Sequence, residues 1–145
     1  MKELFDVHCH MVPGVDDGAA DLEESLAMLK MQHEDGVRKI IITPHYRRRM
    51  FETPAKKVHE QFLKLQEAAK KEYPDMSLYL GCELHSNMDL QDILEKRKYV
   101  TMAGSSYVLL EFSEGDSAQH IRERVYNVLS CLLYTSPSPR DYAAS

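Results

Sequence analysis

At 145 residues the chain holds one domain's worth of sequence at most. Its 28% charged and 43% hydrophobic residues are ordinary for a globular fold, and a formal charge of −5 argues against a general nucleic-acid surface while suiting a site built from carboxylates. No apolar run is long enough to span a bilayer, no signal-peptide pattern opens the chain, and Cys9, Cys82 and Cys131 are too widely spaced for a disulfide framework, so a reducing, cytoplasmic setting is expected.

Leu4-Phe5-Asp6-Val7 predicts a short buried strand that ends in His8-Cys9-His10. Residues i and i+2 of a strand share a face, so the two imidazoles can grip one cation; two surface histidines are the alternative. Cys9 then faces the core. Turn chemistry at Pro13-Gly14 and Asp17-Gly18 puts Asp17 on a loop that can fold back over the histidines. A helix follows, with Asp21 as N-cap and Glu24 completing a capping box. Leu22, Leu26, Leu29 and His33 mark its buried face, and Gly36 its C′ stop.

Val37 to Thr43 carries Ile40-Ile41-Ile42, the run of a parallel strand covered on both faces, and leads into Thr43-Pro44-His45. Arg47, Arg48 and Arg49 make a basic loop that reads equally as phosphate-binding or as solvated. Thr53 as N-cap and Pro54 at N1 open a second helix striped by Val58, Phe62, Leu65 and Ala69 and ended by Pro74. Leu78 to Cys82 is a third strand with Glu83 at its end and His85 on the rim. Asn87 to Lys98 predicts a short Asp-capped helix. Tyr99–Met102 and Tyr107–Phe112 read as strands, the latter carrying Glu111, which is costly to bury unless paired or metal-bound. Ala118 to Ser130 is a last helix with Ile121, Val125, Val128 and Leu129 inward. Residues 132–145 lack periodicity and contain Pro137 and Pro139; they read as a disordered or non-native tail on a domain cut near Ser130 or Cys131.

His8, His10, Asp17, His45, Glu83 and Glu111 thus gather at strand ends and their loops, where parallel α/β folds place their chemistry. Mixed nitrogen and oxygen ligands without paired thiolates suit Mn, Fe or Zn. Six candidates exceed the needs of one ion, and clustered ions activate water for phosphoryl displacement.

The run from Asp6 to Ala19, with Leu22-Glu23-Glu24-Ser25-Leu26, Asp35-Gly36-Val37 and Ile42-Thr43-Pro44-His45-Tyr46, resembles the PHP superfamily, named for polymerase and histidinol phosphatase. The likeness covers residues 3 to about 130 and is greatest to the manganese-dependent protein tyrosine phosphatases of bacterial capsule and exopolysaccharide loci. It implies an α/β fold, a partial distorted (β/α)7 TIM-like barrel with parallel strands and outer helices, of which residues 1–131 are the N-terminal part. It also implies a centre of three Mn2+ ions, with Fe or Zn as alternatives. By position, His8 and His10 resemble the first-motif ligands, Asp17 the loop aspartate and His45 the threonine-proline-histidine ligand. Glu83 resembles a bridging carboxylate and Glu111 a further metal-binding glutamate, while Asp6 would orient a ligand from behind.

The implied reaction is hydrolysis of phosphotyrosine on a bacterial tyrosine autokinase by metal-activated water. A histidinol-phosphatase-like hydrolase of small phosphoesters and an inactive fragment are the competing readings. No cysteine has an arginine six residues on, so the cysteine-dependent phosphatase loop is absent. The family's His-Pro-Glu-Arg segment and terminal Asp-x-His pair are also absent. The catalytic arginine is therefore unassigned, and this chain alone is expected to be inactive or marginal.

Overall fold

The structure, a computed structural model, describes residues 3–89, 92–93 and 101–135, with side chains as far as 130. The elements run β1 (Leu4–Cys9), α1 (Leu22–Glu34), β2 (Val37–Ile42), β3 (His45–Tyr46), α2 (Ala55–Glu72), β4 (Ser77–Leu80), β5 (Glu83–His85), a 3₁₀ turn (Met102–Gly104), β6 (Leu109–Glu111) and α3 (Ala118–Thr135).

All strands in the two ladders are parallel, in the orders β1-β2-β4 and β3-β5-β6. β3 and β5 continue β2 and β4 past short breaks at Thr43-Pro44 and Gly81-Cys82. Main-chain bonds cross these breaks, from Gly81 N–H to the Ile42 carbonyl (2.8 Å) and from Glu83 N–H to that of Pro44 (3.0 Å). The result is one bent, open wall of parallel strands. Gly81 sits at the bend because a Cβ there would lie 3.1 Å from both Ile41 Cγ2 and Met102 Sδ.

Helices α1 and α2 cover one side of the wall. Ile40, Ile42, Leu29 and Leu65 are fully buried between them, each contributing about 1.5–3 kcal/mol relative to exposure. Phe62, Leu65 and Ala69 line up as the α2 periodicity predicts. A second cluster, Cys82, Leu84, Met88, Ile93 and Val128, packs around β5.

Several local expectations change. Leu4, Phe5 and Val7 are exposed rather than buried, and for Phe5 and Val7 this is because neither α1 nor α2 covers the face of β1 that carries them. That uncovered face joins Lys39, Ile41 and Tyr79 around an open hollow of about 290 Å3. In α1 it is Ser25 and Leu29 that are buried, while Leu22 is exposed. Asp21 does cap Glu24 N–H (2.9 Å), but the Glu24 carboxylate reaches back to Ala20 N–H (2.7 Å) rather than to the cap residue. Gly36 follows the α1 C-cap at φ +90°, as its role requires.

Thr53 does not cap α2. Its hydroxyl donates to the Val15 carbonyl at 2.7 Å, tying the first loop down, and Pro54 takes the cap position. His85 is buried, not on a rim. Met102 belongs to a 3₁₀ turn, since Thr101 and Val108 pair antiparallel and close a tight hairpin there. Asp89 accepts from Asp92 N–H (3.1 Å) as the predicted Asp cap; residues 90–91 and 94–98 of that expected helix, and 99–100 of the expected strand, lie outside the described residues. In α3 only Val128 of the four expected inward residues is buried. Ile121 is half-buried, and Val125 and Leu129 are exposed because Val128 is the residue through which the helix joins the cluster around β5. The helix runs on to Thr135, past its expected end at Ser130; residues 136–145 lie outside the described residues.

Candidate metal centre

The imidazoles converge because of an irregularity in β1. Asp6 pairs with Ile40 but Cys9 with Ile42, so β1 carries one more residue than β2 over that stretch. Such a bulge re-aims side chains. Asp6 turns to α1, accepting from Gln32 Nε2 at 2.9 Å, and Cys9 packs on the core. Burial, with help from Asp6 and Asp16, pushes the Cys9 thiol up to about 12. Asp6 also accepts from the main-chain N–H of His8 (3.0 Å), so it holds backbone rather than an imidazole ring.

His8 and His10 point across the wall at Glu83. The Nε2 atoms of both lie 3.2 Å from Glu83 Oε2 and 3.3 Å from each other. Glu83 opens β5 just past the Gly81-Cys82 break and is buried. His45, the first residue of β3 and the register partner of Glu83, brings its Nδ1 to 3.1 Å from the same oxygen. That Nδ1 is 3.5 Å from Glu111 Oε2, and His45 Nε2 is 3.5 Å from Asp17 Oδ1. Three overlapping triads result: His8–His10–Glu83, His10–Asp17–His45 and His45–Glu83–Glu111. All six side chains singled out as ligands lie in them.

Asp16, which sequence reasoning passed over in favour of its neighbour, organises the loop. Its side chain is fully buried, and Oδ2 receives His10 Nδ1 and the His45 main-chain N–H, each at 2.9 Å, while Oδ1 receives Gly18 N–H at 3.0 Å. Burial raises the Asp16 pKa, but the bonds from His10, His45 and Gly18 outweigh it and hold the carboxyl below its usual range. The same hydrogen bond, against the opposing effect of burial, raises that of His10. With Nδ1 turned to Asp16, His10 presents Nε2 to the centre, the arrangement in which a carboxylate fixes a ligand tautomer. Gly18 lets the loop lie directly on His10, since a Cβ there would overlap the His10 carbonyl oxygen.

Phe51 is a second residue that sequence reasoning missed. Arg47 and Phe51 exchange main-chain bonds of 2.9 Å, closing a tight loop that stacks the Phe51 ring on His45 (5.0 Å, 12°). This loop divides the three arginines. Arg47 is half-buried with Nη1 3.6 Å from Glu111 Oε1, whereas Arg48 and Arg49 are exposed.

The donor set fits divalent cations. His45 Nδ1 and Glu111 Oε2 are buried, face each other, and have no hydrogen-bond partner, a costly state that a cation between them relieves. Each triad offers three donors and leaves coordination positions for water or substrate, as catalytic sites do. Burial pushes the Cys82 thiol, like that of Cys9, up to about 12, and neither cysteine belongs to any of the three triads, which are built from imidazoles and carboxylates.

The parallel α/β wall thus gathers three groups of imidazole and carboxylate donors that could hold divalent ions. The chain belongs to the family described as capsular polysaccharide synthesis, CpsB/CapC, whose profile matches residues 4–134. It is 40% identical over 126 residues to the tyrosine-protein phosphatase CpsB of Streptococcus pneumoniae, covering 87% of this chain and 52% of that protein. To the tyrosine-protein phosphatase YwqE of Bacillus subtilis it is 27% identical, covering 86% and 49%. Among solved structures it superposes with TM-score 0.78 and 27% identity on a chain from the crystal structures of YwqE and CpsB, described as unique metal-dependent tyrosine phosphatases, covering 88% of this chain and 51% of that one. The chain spans about half the length of the curated relatives it matches. No helix among the described residues is long and apolar enough to cross a membrane.

Proposed function

We propose that this chain carries the N-terminal donor set of a manganese-dependent protein-tyrosine phosphatase, built on a distorted (β/α)7 barrel of which the open wall is part. The observation that carries the reading is the convergence of three imidazole nitrogens within 3.2 Å of one buried carboxylate oxygen, Glu83 Oε2. The names of the relatives support phosphotyrosine as the substrate class, and the capsule family supports a bacterial tyrosine autokinase as the phosphoprotein. The unpaired Cys9 and Cys82 support a cytoplasmic site of action.

The three triads would hold divalent ions, which when bound would supply positive charge for phosphate oxygens and lower the pKa of a water. The chain's own groups do the rest. Asp16 holds His10 with Nε2 forward, and Glu83 serves two triads at once. Arg47 stands beside Glu111 with a guanidinium suited to a phosphate oxygen; Arg48 and Arg49 give the rim positive charge. Phe51 covers one face of His45 and shields it from water. Neither Cys9 nor Cys82 serves as nucleophile, because their raised pKa values keep them as thiols.

Manganese uptake and release of phosphate from a phosphotyrosyl peptide test this reading. The chain should bind Mn2+, and any hydrolysis should require it, cease with a chelator and survive a thiol reagent. Absence of Mn2+ binding, or hydrolysis indifferent to chelation, would overturn it. The half-length match favours one second reading, a donor set that holds metal without turnover; Mn2+ binding with no phosphate release is its signature.

A further inference from the structure

Glu83 and Glu111 sit on adjacent strands but not opposite each other. Their register partners are Leu109 and His85, so the two carboxylates are diagonal neighbours, and Cα positions so related lie about 8 Å apart. Both nevertheless reach His45 Nδ1, at 3.1 and 3.5 Å. The residue at the corner between them is His85, two residues from Glu83 on the same strand face and directly beside Glu111.

His85 is buried and its two ring nitrogens have different partners. The main-chain N–H of Asn87 donates to Nδ1 at 3.1 Å, which makes Nδ1 an acceptor and leaves the ring proton on Nε2. Nε2–H then donates to Ser113 Oγ at 3.1 Å, in the loop that leaves β6. Asp116 completes the clasp, accepting Ser113 N–H at 2.8 Å and lying 3.5 Å from Ser86 Oγ. Ser86 N–H in turn donates to the Glu111 carbonyl at 2.9 Å. The end of β5 is thereby pinned to the end of β6 by side chains as well as by the ladder.

We infer that His85 is a positioning residue: its bridge from Asn87 to Ser113 sets the spacing of Glu83 and Glu111, and so the metal affinity of the His45–Glu83–Glu111 triad. The inference rests on the metal reading given above. His85 is not itself a ligand, since its Nε2 proton is committed to Ser113.

Two measurements on the full chain test it. In the metal-free protein, ring 15N shifts should report His85 as the Nε2–H tautomer; an Nδ1–H ring would overturn the bridge whether or not the native chain binds metal. In Mn2+ titrations, with the Co2+ visible spectrum as a monitor of geometry, His85→Phe should weaken binding about tenfold or more, as loss of a supporting hydrogen bond does. His85→Gln can accept from Asn87 and donate to Ser113, and should restore affinity and spectrum. His85→Phe binding like the native chain, or His85→Gln binding no better than His85→Phe, would refute the inference. Should His85→Phe fail to fold, Ser113→Ala decides: weakened Mn2+ binding supports the role and unchanged binding refutes it. A native chain that binds no Mn2+ would instead count against the metal reading.

Discussion

Replacing Asp16 with asparagine probes the support of the centre without removing a ligand. The carboxylate takes three donors, two on Oδ2 and one on Oδ1, in a fully buried position. An asparagine amide must turn its NH2 toward one of those sides, and the cheaper choice faces Gly18 N–H. That leaves one buried donor unpaired, at about 1–3 kcal/mol, and turns the other two bonds from charged to neutral, at about 1 kcal/mol each. Relief of the desolvation of a buried charge offsets part of this, leaving a net loss of about 2–4 kcal/mol. That is a large share of the roughly 5–15 kcal/mol that holds a domain together. Urea unfolding of the metal-free chain reads it directly. Mn2+ affinity should fall about 10- to 100-fold in the same variant, because His10 loses the partner that fixes its Nε2 forward. Asp17→Asn is the contrast. Its exposed carboxylate should matter little to stability, within about 0.5 kcal/mol, yet it removes a donor from one triad. An Asp16→Asn chain with native stability and native Mn2+ affinity would mean that the carboxylate does not hold the loop and His10 in place.

Gly18→Ala should cost at least about 2 kcal/mol by denaturant unfolding, since its Cβ would overlap the His10 carbonyl; native stability would mean the loop does not lie on His10. Glu83→Gln should leave the metal-free fold nearly as stable, yet lower the Mn2+ stoichiometry measured by metal analysis, because one oxygen serves two triads. Asp75 is held below its usual carboxylate range by its bond from His33, with Arg38 Nε also 2.9 Å away. A depressed folded pKa contributes stability above the unfolded value of 3.8 and loses it as pH falls through the folded value. Asp75→Asn should therefore lower Tm at neutral pH and match the native chain in acid; a gap independent of pH would contradict this.

The convergence of the candidate donors was legible in the sequence because strand periodicity and the ends of apolar runs announce where a parallel wall delivers its polar residues. His8, His10, His45, Glu83 and Glu111 each follow from that logic. The support around them was not legible. Asp16 and Asp17 are identical in type and adjacent, and only the folded loop decides which turns inward and which stays at the rim. The bulge in β1 sends Asp6 to α1, a shift that no count of alternating residues contains. Thr53 has the residue type of a helix cap but spends its hydroxyl on Val15, a partner far away in sequence. The exposure of Phe5 and Val7 depends on which face of the wall the helices cover, which is a property of tertiary packing rather than of local composition.

Anomalous diffraction at the manganese edge, from crystals of the chain grown with Mn2+, addresses the shared-ligand geometry most directly. Ions should lie in contact with Glu83 Oε2, one flanked by His8 and His10 and another by His45 and Glu111. Manganese peaks away from all three triads, or none at all under saturating Mn2+, would contradict that geometry.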